Sequence, residues 1–591
     1  LRLAFDIEAN GFLDTVSKIL CIEAYNVDTD ETYSFGPSIS DQNKAIDLLK
    51  QATVLIGHNI IGYDLPVLKK VWGLEFDATP VDTLVVARLI HSNLKETDST
   101  LVQTGRLAKE LYGSNSLKAW GQRIGESKQE YEGGFEEWNQ EMQDYCAQDV
   151  RTLVKLWRYL KVDQYSQQAI ELENDIAKVC IHMERNGWTF DKDKAIDLYA
   201  KLAARRDELH AELIAKFGTW EEPAGVLIPK KDNKARGYKA GVPVQKYKTV
   251  EFNPNSRRHI EKKLRELGWK PEVFTDGGAA KLDEAILSRI EGPEAQLLVE
   301  HFMVVKRLSQ IGDGDEGWLK ALDANNRIHG RYNTMGTVTG RASHYSPNLG
   351  QVPANKKPFG KECRELFTVP KGWVMVGADM QGLELRCLAH YMAYFDDGAY
   401  ADLVINGDVH TENQQAAGLP TRDNAKTFIY AFLYGAGDAK IGKIVKGTAK
   451  DGTRLKQAFM QKFPALKRLR DMVEQSSTKG YLKGLDGRHI PIRSAHAGLN
   501  SLLQGCGAIL CKRWVVDSFN EVCKKYKPGY EGDFVFCGWI HDELQIACRA
   551  EIADDIGNII VKCAQNAGEP YGFSVRLDSE YIIGANWSET H

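Results

Sequence analysis

Along the first eight residues, Leu1-Arg2-Leu3-Ala4-Phe5-Asp6-Ile7-Glu8, apolar and polar side chains alternate, the period of a strand with one buried face. Leu1, Leu3, Phe5 and Ile7 then share one side and Asp6 and Glu8 the other. Strand-like segments at 18–27 and 52–57 are followed by helical patterns, the last from about Glu136 to Leu160, so residues 1–165 read as α/β. From about 170 to 330 the period lengthens, and amphipathic stretches at 171–185, 194–217 and 294–311 predict a mostly helical region. Within it, Glu221 to Glu251 is rich in Gly, Pro and Lys, with Pro229-Lys230-Lys231 and Gly237-Tyr238-Lys239, and reads as a mobile loop. Strands and helices mix again from 331 to His591, and no internal repeat is visible.

A chain of 591 residues exceeds one core, so two to four domains are expected. Hydrophobic content of 43% and charged content of 26% are those of an ordinary globular protein. No run approaches the length needed to cross a bilayer and no signal-peptide pattern opens the chain, so a cytoplasmic protein without a membrane partner is expected. The eleven cysteines form no C-x-x-C pair and lie mostly in apolar runs, which predicts buried thiols rather than a disulfide framework or a zinc site. A net charge of −4 announces no nucleic-acid surface, yet local basic patches and metal-holding acids can coexist in such a total.

Two constellations carry the chemistry. In the first, Asp6 and Glu8 repel each other unless solvent or a cation intervenes. Asp64 closes His58-Asn59-Ile60-Ile61-Gly62-Tyr63-Asp64 just beyond an apolar strand, and Tyr145 and Asp149 lie at i and i+4 on one helix face. Each piece alone is ordinary surface decoration; their conjunction inside one α/β domain is not. This pattern resembles the 3′→5′ exonucleases of the DEDD type with tyrosine. The resemblance implies that Asp6, Glu8 and Asp149 hold one divalent ion, that Asp6 and Asp64 hold a second, and that Tyr145 orients the attacking water in a two-metal hydrolysis.

In the second, the apolar strand Gly372 to Asp379 ends in a carboxylate, and Phe534 to Ile540 runs into His541-Asp542-Glu543 before a second apolar strand. Acids at the tip of so apolar a hairpin are costly without a cation, which makes Asp379 and Asp542 the natural pair of metal ligands. Between them, Pro420 and Thr421 can start a helix and Gly435 can stop it. Arg422, Lys426, Tyr430 and Tyr434 then fall on one face, with two cations opposing the helix dipole. A phosphate ligand resolves that conflict; a merely solvated stripe does not.

Together these motifs resemble the family A DNA polymerases, and most closely those of short-tailed T-odd bacteriophages. The motifs are Asp379-Met380-Gln381-Gly382-Leu383-Glu384-Leu385-Arg386, the helix from Arg422 to Gly435, and His541-Asp542-Glu543. Thr339-Gly340-Arg341-Ala342-Ser343-His344 also matches, with serine at 343 where threonine is expected. The implied fold is an α/β multidomain chain, an RNase H-like DEDD exonuclease domain followed by a right-hand polymerase. Residues 1–165 would be the exonuclease, 166–330 the thumb with its basic loop 221–251, 331–405 and 481–591 the palm, and 406–480 the fingers.

By position, the resemblance implies that Asp379 and Asp542, with the Met380 carbonyl, bind two Mg²⁺ ions, with Mn²⁺ able to substitute; the exonuclease site holds a further two. Arg422, Lys426 and His410 would hold the dNTP triphosphate, Tyr430 would pack on the nucleotide, and Glu384 would close the space of a ribose 2′-OH. Tyr434 would stack by the template base, Arg341 and Gln504 would reach the minor groove near the primer end, and Glu543 and His541 would support the metal site and primer terminus. Arg257 and the loop residues Lys230 and Lys231 would touch the phosphate backbone of primer-template DNA. A helicase-primase and a single-stranded DNA-binding protein are the partners implied, whereas the short loop argues against the thioredoxin that phage relatives capture there. Two other readings are a stand-alone exonuclease with a non-catalytic C-terminal half and a single-subunit RNA polymerase. The intact acids and cations oppose the first; the exonuclease motif and Glu384 oppose the second.

Overall fold

The computed structural model describes residues 1–591 except 127–130, 276 and 495–496. Two compact units emerge, the first comprising 1–188, 329–351 and 369–591 and the second 189–328 and 352–368.

The first unit opens with a five-stranded sheet in the order Thr32–Phe35, Ile19–Asn26, Arg2–Ala9, Val54–Gly57, Thr79–Asp82. Arg2–Ala9 runs antiparallel to Ile19–Asn26 and parallel to Val54–Gly57. Leu3, Phe5 and Ile7 pack into one core with Leu55, Val67 and Leu68, as the alternation requires. On the opposite face Ala4 is covered by Trp120, Leu153 and Trp157, and the cover ends where Asp6 and Glu8 begin, both partly exposed. The strand therefore carries its acids out of a two-sided core. Helix Gln140–Leu160, capped by Asn139 accepting from the Met142 N–H at 2.8 Å, buries Met142, Cys146, Leu153 and Leu156.

The same unit holds a four-stranded antiparallel sheet in the order Phe534–Ile540, Glu543–Arg549, Trp373–Met380, Ser579–Gly584. Phe534–Ile540 is buried at every position, the burial expected of its unbroken apolar run. Helix Gly498–Cys523, buried along most of its length, shares the core of this sheet through Cys506, Ile509, Trp514 and Val515. Helices Val409–Ala417, Arg422–Leu433, Ala449–Lys462 and Pro464–Ser477 extend that core. Helix Gln167–Asn186 also belongs here, its Leu172, Ile176 and Met183 joining the large core and its Ala169 and Ile170 the core of the N-terminal sheet. The second unit begins at Thr189. Ten of the eleven cysteines are buried and all are free thiols, in keeping with their apolar settings.

The second unit packs helix Lys192–Phe217 against Pro293–Leu308, with a small core of Leu213, Phe252, Ile260, Leu264 and Leu298. The segment read as a mobile loop is instead a β-hairpin, Thr219–Leu227 paired with Val244–Glu251 and bulged between Pro223 and Val226. Glu222 faces Lys248 across the ribbon, and Thr249 Oγ1 donates to Glu221 at 2.5 Å. The hairpin escaped prediction because most of its side chains are exposed on both faces, so no apolar alternation marks it. No described helix is long and apolar enough to cross a membrane.

Candidate active sites

At the first acidic cluster, ligand atoms of Asp6, Glu8 and Cys146 lie within 4.8 Å of one another. Cys146 Sγ sits 3.8 Å from Asp6 Oδ2, and Glu8 pairs with Cys21 across the sheet. Asp149, one turn beyond Tyr145 on the same helix, is buried, and Tyr145 lies 5.7 Å from the Tyr131 ring. Asp64 opens helix Asp64–Trp72 and is 3% exposed. Burial raises its carboxyl well above the usual range, aided by the charge of Asp82 and opposed by the Ile7 backbone N–H that faces it. The Tyr63 hydroxyl, which donates to the Gly11 carbonyl at 2.7 Å, is pushed up to about 12 by burial and by the charges of Asp64, Glu8 and Asp6. Asp6, Glu8 and Asp64 are thus brought to one place. Asp64 and Asp149 stand outside the tightest group.

Sequence reasoning missed Asp82 and Cys146. Asp82 accepts from the backbone N–H groups of Asn59 at 2.8 Å, Ile61 at 3.2 Å and Leu84 at 2.9 Å, and so holds the turn that presents Asp64. Its place before the apolar run Thr83–Ile90 is an N-cap signal that could have been read. Cys146 carried no signal, since an apolar thiol on a helix reads as core.

At the second site the strand register sets Asp379 opposite Glu543, and the Met380 N–H donates to the Asp542 carbonyl at 3.0 Å. His541 and Asp542 are the two-residue turn between Phe534–Ile540 and Glu543–Arg549, with His541 at φ +59° and its carbonyl held by Trp539 Nε1 at 2.9 Å. A non-glycine residue in that region is a strained choice. Burial, then the charges of Glu384 and Asp379, push the Asp542 carboxyl up to about 6. Glu543 is buried and accepts from Gln545 Nε2 at 2.8 Å and from Trp587 Nε1. His591, which carried no predicted role, reaches back to both acids, its Nδ1 3.3 Å from Asp379 and 3.1 Å from Glu543. Asp379, Glu543 and His591 are the tight group here, and Asp542 lies outside it.

Thr421 caps helix Arg422–Leu433 by accepting from the Asn424 N–H at 3.0 Å, and Tyr434, instead of lying in the helix, is its C-cap ahead of Gly435 at φ +71°. Arg422 is paired with Asp408 at 3.1 Å, and Asp408 also caps helix Val409–Ala417. His410, in that helix's first turn, is held neutral by burial and by the nearby charges of Arg422 and Lys426. Its Nδ1 is buried without a hydrogen-bond partner among the described residues. Tyr430 and Tyr434 stack at 6.5 Å, and Tyr434 donates to Glu384 at 3.1 Å, with Arg341 3.6 Å from the same carboxylate. Arg341, Glu384, Tyr434, His541 and Asp542 line one cavity. Gln504 accepts from Thr339 Oγ1 at 3.4 Å. The Met380 side chain is buried against Cys511, so only its backbone is available to the site. In the second unit, Lys230 and Lys231 are exposed near the hairpin tip, and Arg257 opens a helix capped by Ser256.

Comparison with known proteins gives the family of each part of the chain. The model of DNA polymerase family A matches residues 235–589, and that of the RNase H superfamily matches 3–161. The chain is 39% identical over 708 residues to a DNA-directed DNA polymerase of Enterobacteria phage T3, covering 100% of each. It is 38% identical over 705 residues to that of Escherichia phage T7, covering 99% of each. Thermostable DNA polymerase I of Thermus aquaticus is 25% identical over 76% of this chain and 52% of its own length. Among solved structures, the polymerase domain of Pol1 from M. smegmatis in complex with DNA primer-template and dNTP superposes with a TM-score of 0.74 at 15% identity, over 100% of this chain and 95% of that one.

Proposed function

The chain belongs to the family A DNA polymerases, a DNA-directed DNA polymerase with an RNase H-like domain of the exonuclease kind, and from that membership we propose that it replicates phage DNA and proofreads its own product. The observation that carries this reading is the Met380–Asp542 backbone bond at 3.0 Å, which sets two acids from distant segments side by side at the ends of adjoining strands. Such enzymes depend on divalent metal, and the donors here suit a hard cation: carboxylates, among them Asp542, whose pKa is raised by burial and then by the charges of Glu384 and Asp379. We take the cation to be Mg²⁺, held by Asp379, Asp542 and the Met380 carbonyl at one site and by Asp6, Glu8, Asp64 and Asp149 at the other. Bound there, it would supply an acidified hydroxyl or water and charge neutralisation at the departing oxygen.

The chain's own residues do the rest. Arg422, Lys426 and His410 grip the triphosphate at the N-terminal end of helix Arg422–Leu433, where the exposed backbone N–H groups point. Tyr430 packs on the incoming base, and Glu384, held by Tyr434 and Arg341, fills the space of a 2′-OH. Tyr434 meets the template base once that bond is released. Arg341 and Gln504 reach minor-groove acceptors at the primer end, which are present on every correct pair. Glu543 and His541 support the metal site and primer terminus, and Tyr145 orients the water for hydrolysis. In this reading residues 166–330 clasp the duplex as a thumb, 406–480 act as fingers on a palm of 331–405 and 481–591, and Lys230, Lys231 and Arg257 touch phosphates. A helicase-primase and a single-stranded DNA-binding protein are the partners we propose; the short hairpin, Thr219–Leu227 with Val244–Glu251, argues against capture of thioredoxin.

Thermal unfolding with and without Mg²⁺ tests the metal assignment. The Asp542 carboxyl, raised from an ordinary 3.8 to about 6, favours its protonated form when folded. The metal-free protein therefore loses this group's stabilisation as pH climbs from about 4 through about 6. Mg²⁺ should restore it only above that range, giving a larger rise in Tm at pH 7.5 than at pH 5, and Asp542→Asn should shrink the rise. An equal rise at both pH values, or one untouched by the substitution, would remove Asp542 from the ligand set.

Asp408 supplies a second expectation. It competes with the triphosphate for Arg422 through a solvent-exposed, and therefore weak, ion pair. Asp408→Asn keeps the cap but not the charge, so the KM for dNTP should fall by up to about fivefold. An unchanged or higher KM would show that Arg422 meets no phosphate.

A further inference from the structure

Away from both sites, four charged side chains are sealed inside the first unit. Glu173, Arg488 and Lys512 are 0–1% exposed and Asp486 is 2% exposed. Arg488 Nη1 and Lys512 Nζ both donate to the same oxygen, Glu173 Oε1, the former at 2.6 Å. Asp486 takes the other edge of Arg488, from Nη2 at 2.6 Å and from Nε at 2.8 Å. Two acids and two bases cancel, the condition under which ions tolerate such a setting. Glu173 comes from helix Gln167–Asn186, Asp486 and Arg488 from the turn between strands Tyr481–Lys483 and His489–Pro491, and Lys512 from helix Gly498–Cys523.

One element rests on this cluster. Met335 Sδ lies 3.5 Å from both Arg488 Nη1 and Lys512 Nζ. Gly340, at φ +82°, comes so close that an added Cβ would stand 3.1 Å from Arg488 Nη1. The turn between them is closed by the Gly340 N–H to the Thr337 carbonyl at 3.0 Å and by the Arg341 N–H to Thr337 Oγ1 at 3.1 Å. Its outward side carries Arg341 to Glu384 and Thr339 to Gln504. The buried charges are therefore the floor under the two residues assigned to the primer minor groove.

We propose that Glu173 is a positioning residue for nucleotide addition: its carboxylate is the counter-charge that keeps Arg488 and Lys512 beneath the Met335–Arg341 turn, and so fixes Arg341 and Gln504 at the primer end. Glu173 touches neither DNA nor nucleotide; it acts through the turn. The proposal rests on the minor-groove reading of Arg341 and Gln504. Neutralising Glu173 leaves an uncompensated cation in the core, which is relieved only by drawing in water or shedding a proton, and either lifts the turn.

The test is single-turnover extension of a primer ending in guanine or in 3-deazaguanine, which lacks the minor-groove N3 acceptor. On guanine, Glu173→Gln should slow the maximal rate about tenfold, the scale of one lost base-edge contact, with the KM for dNTP unchanged. On 3-deazaguanine the parent itself should slow, and Glu173→Gln should add little. Glu173→Gln/Lys512→Met, neutral again, should regain the parental rate and the parental 3-deazaguanine penalty. Trimming of single-stranded DNA at the parental rate verifies the fold of each variant. Equal slowing of Glu173→Gln on both primers, or a double variant as slow as the single one, overturns the proposal. Arg341→Ala separates the two layers: if it keeps the whole 3-deazaguanine penalty, the minor-groove reading fails, whatever Glu173 does.

Discussion

Asp379→Ala is expected to lower nucleotide addition by about 10³-fold or more while leaving trimming of a single-stranded 3′ end at the parental rate. The size follows from the several kcal/mol that metal-assisted charge stabilisation supplies, at 1.36 kcal/mol per tenfold. Asp379 is the partly exposed acid at the edge of the second cluster, opposite the buried Glu543 in strand register. Alanine there would remove the proposed ligand without opening the core, since the neighbouring Ala378 and Met380 carry the packing. Single-turnover extension of a primed template measures the loss. Synthesis within about tenfold of the parent would mean that Asp379 holds no catalytic ion.

The mirror experiment is Asp6→Ala, which should reduce 3′-end hydrolysis by a similar factor and leave extension intact. Asp6 stands where the cover over its strand ends, within ligand distance of Glu8. The Leu3, Phe5 and Ile7 face that anchors the strand is untouched by the change. Misincorporated primer ends should persist in the variant and be removed by the parent. Undiminished trimming by Asp6→Ala would place hydrolysis elsewhere.

What could be read in the sequence was local. Asp6 and Glu8 announce themselves because a strand's period separates them from Leu3, Phe5 and Ile7 within a few residues. Asp379 and Asp542 do so because each ends an apolar run, where a carboxylate is out of place. Helix Arg422–Leu433 was legible from Thr421 and from the i+4 spacing of its cations. The rest depends on the chain folding back. His591 meets Asp379 and Glu543, and Asp408 meets Arg422, through tertiary approach that no spacing encodes. Glu173 reads as one acid on an amphipathic helix, and only the fold sets it between Arg488 and Lys512. The hairpin at 219–251 was misread for the opposite reason, because a ribbon wetted on both faces leaves no pattern to find.

Two acidic pockets doing opposite chemistry on a phosphodiester is the central claim, and anomalous diffraction from Mn²⁺-soaked crystals with primer-template and a non-hydrolysable dNTP tests it most directly. Mn²⁺ peaks should appear at Asp379 and Asp542, about 4 Å apart, and separately at Asp6, Glu8, Asp64 and Asp149, with Asp379→Ala erasing the first set alone and Asp6→Ala the second alone. Peaks at only one pocket, or one substitution erasing both sets, would contradict it.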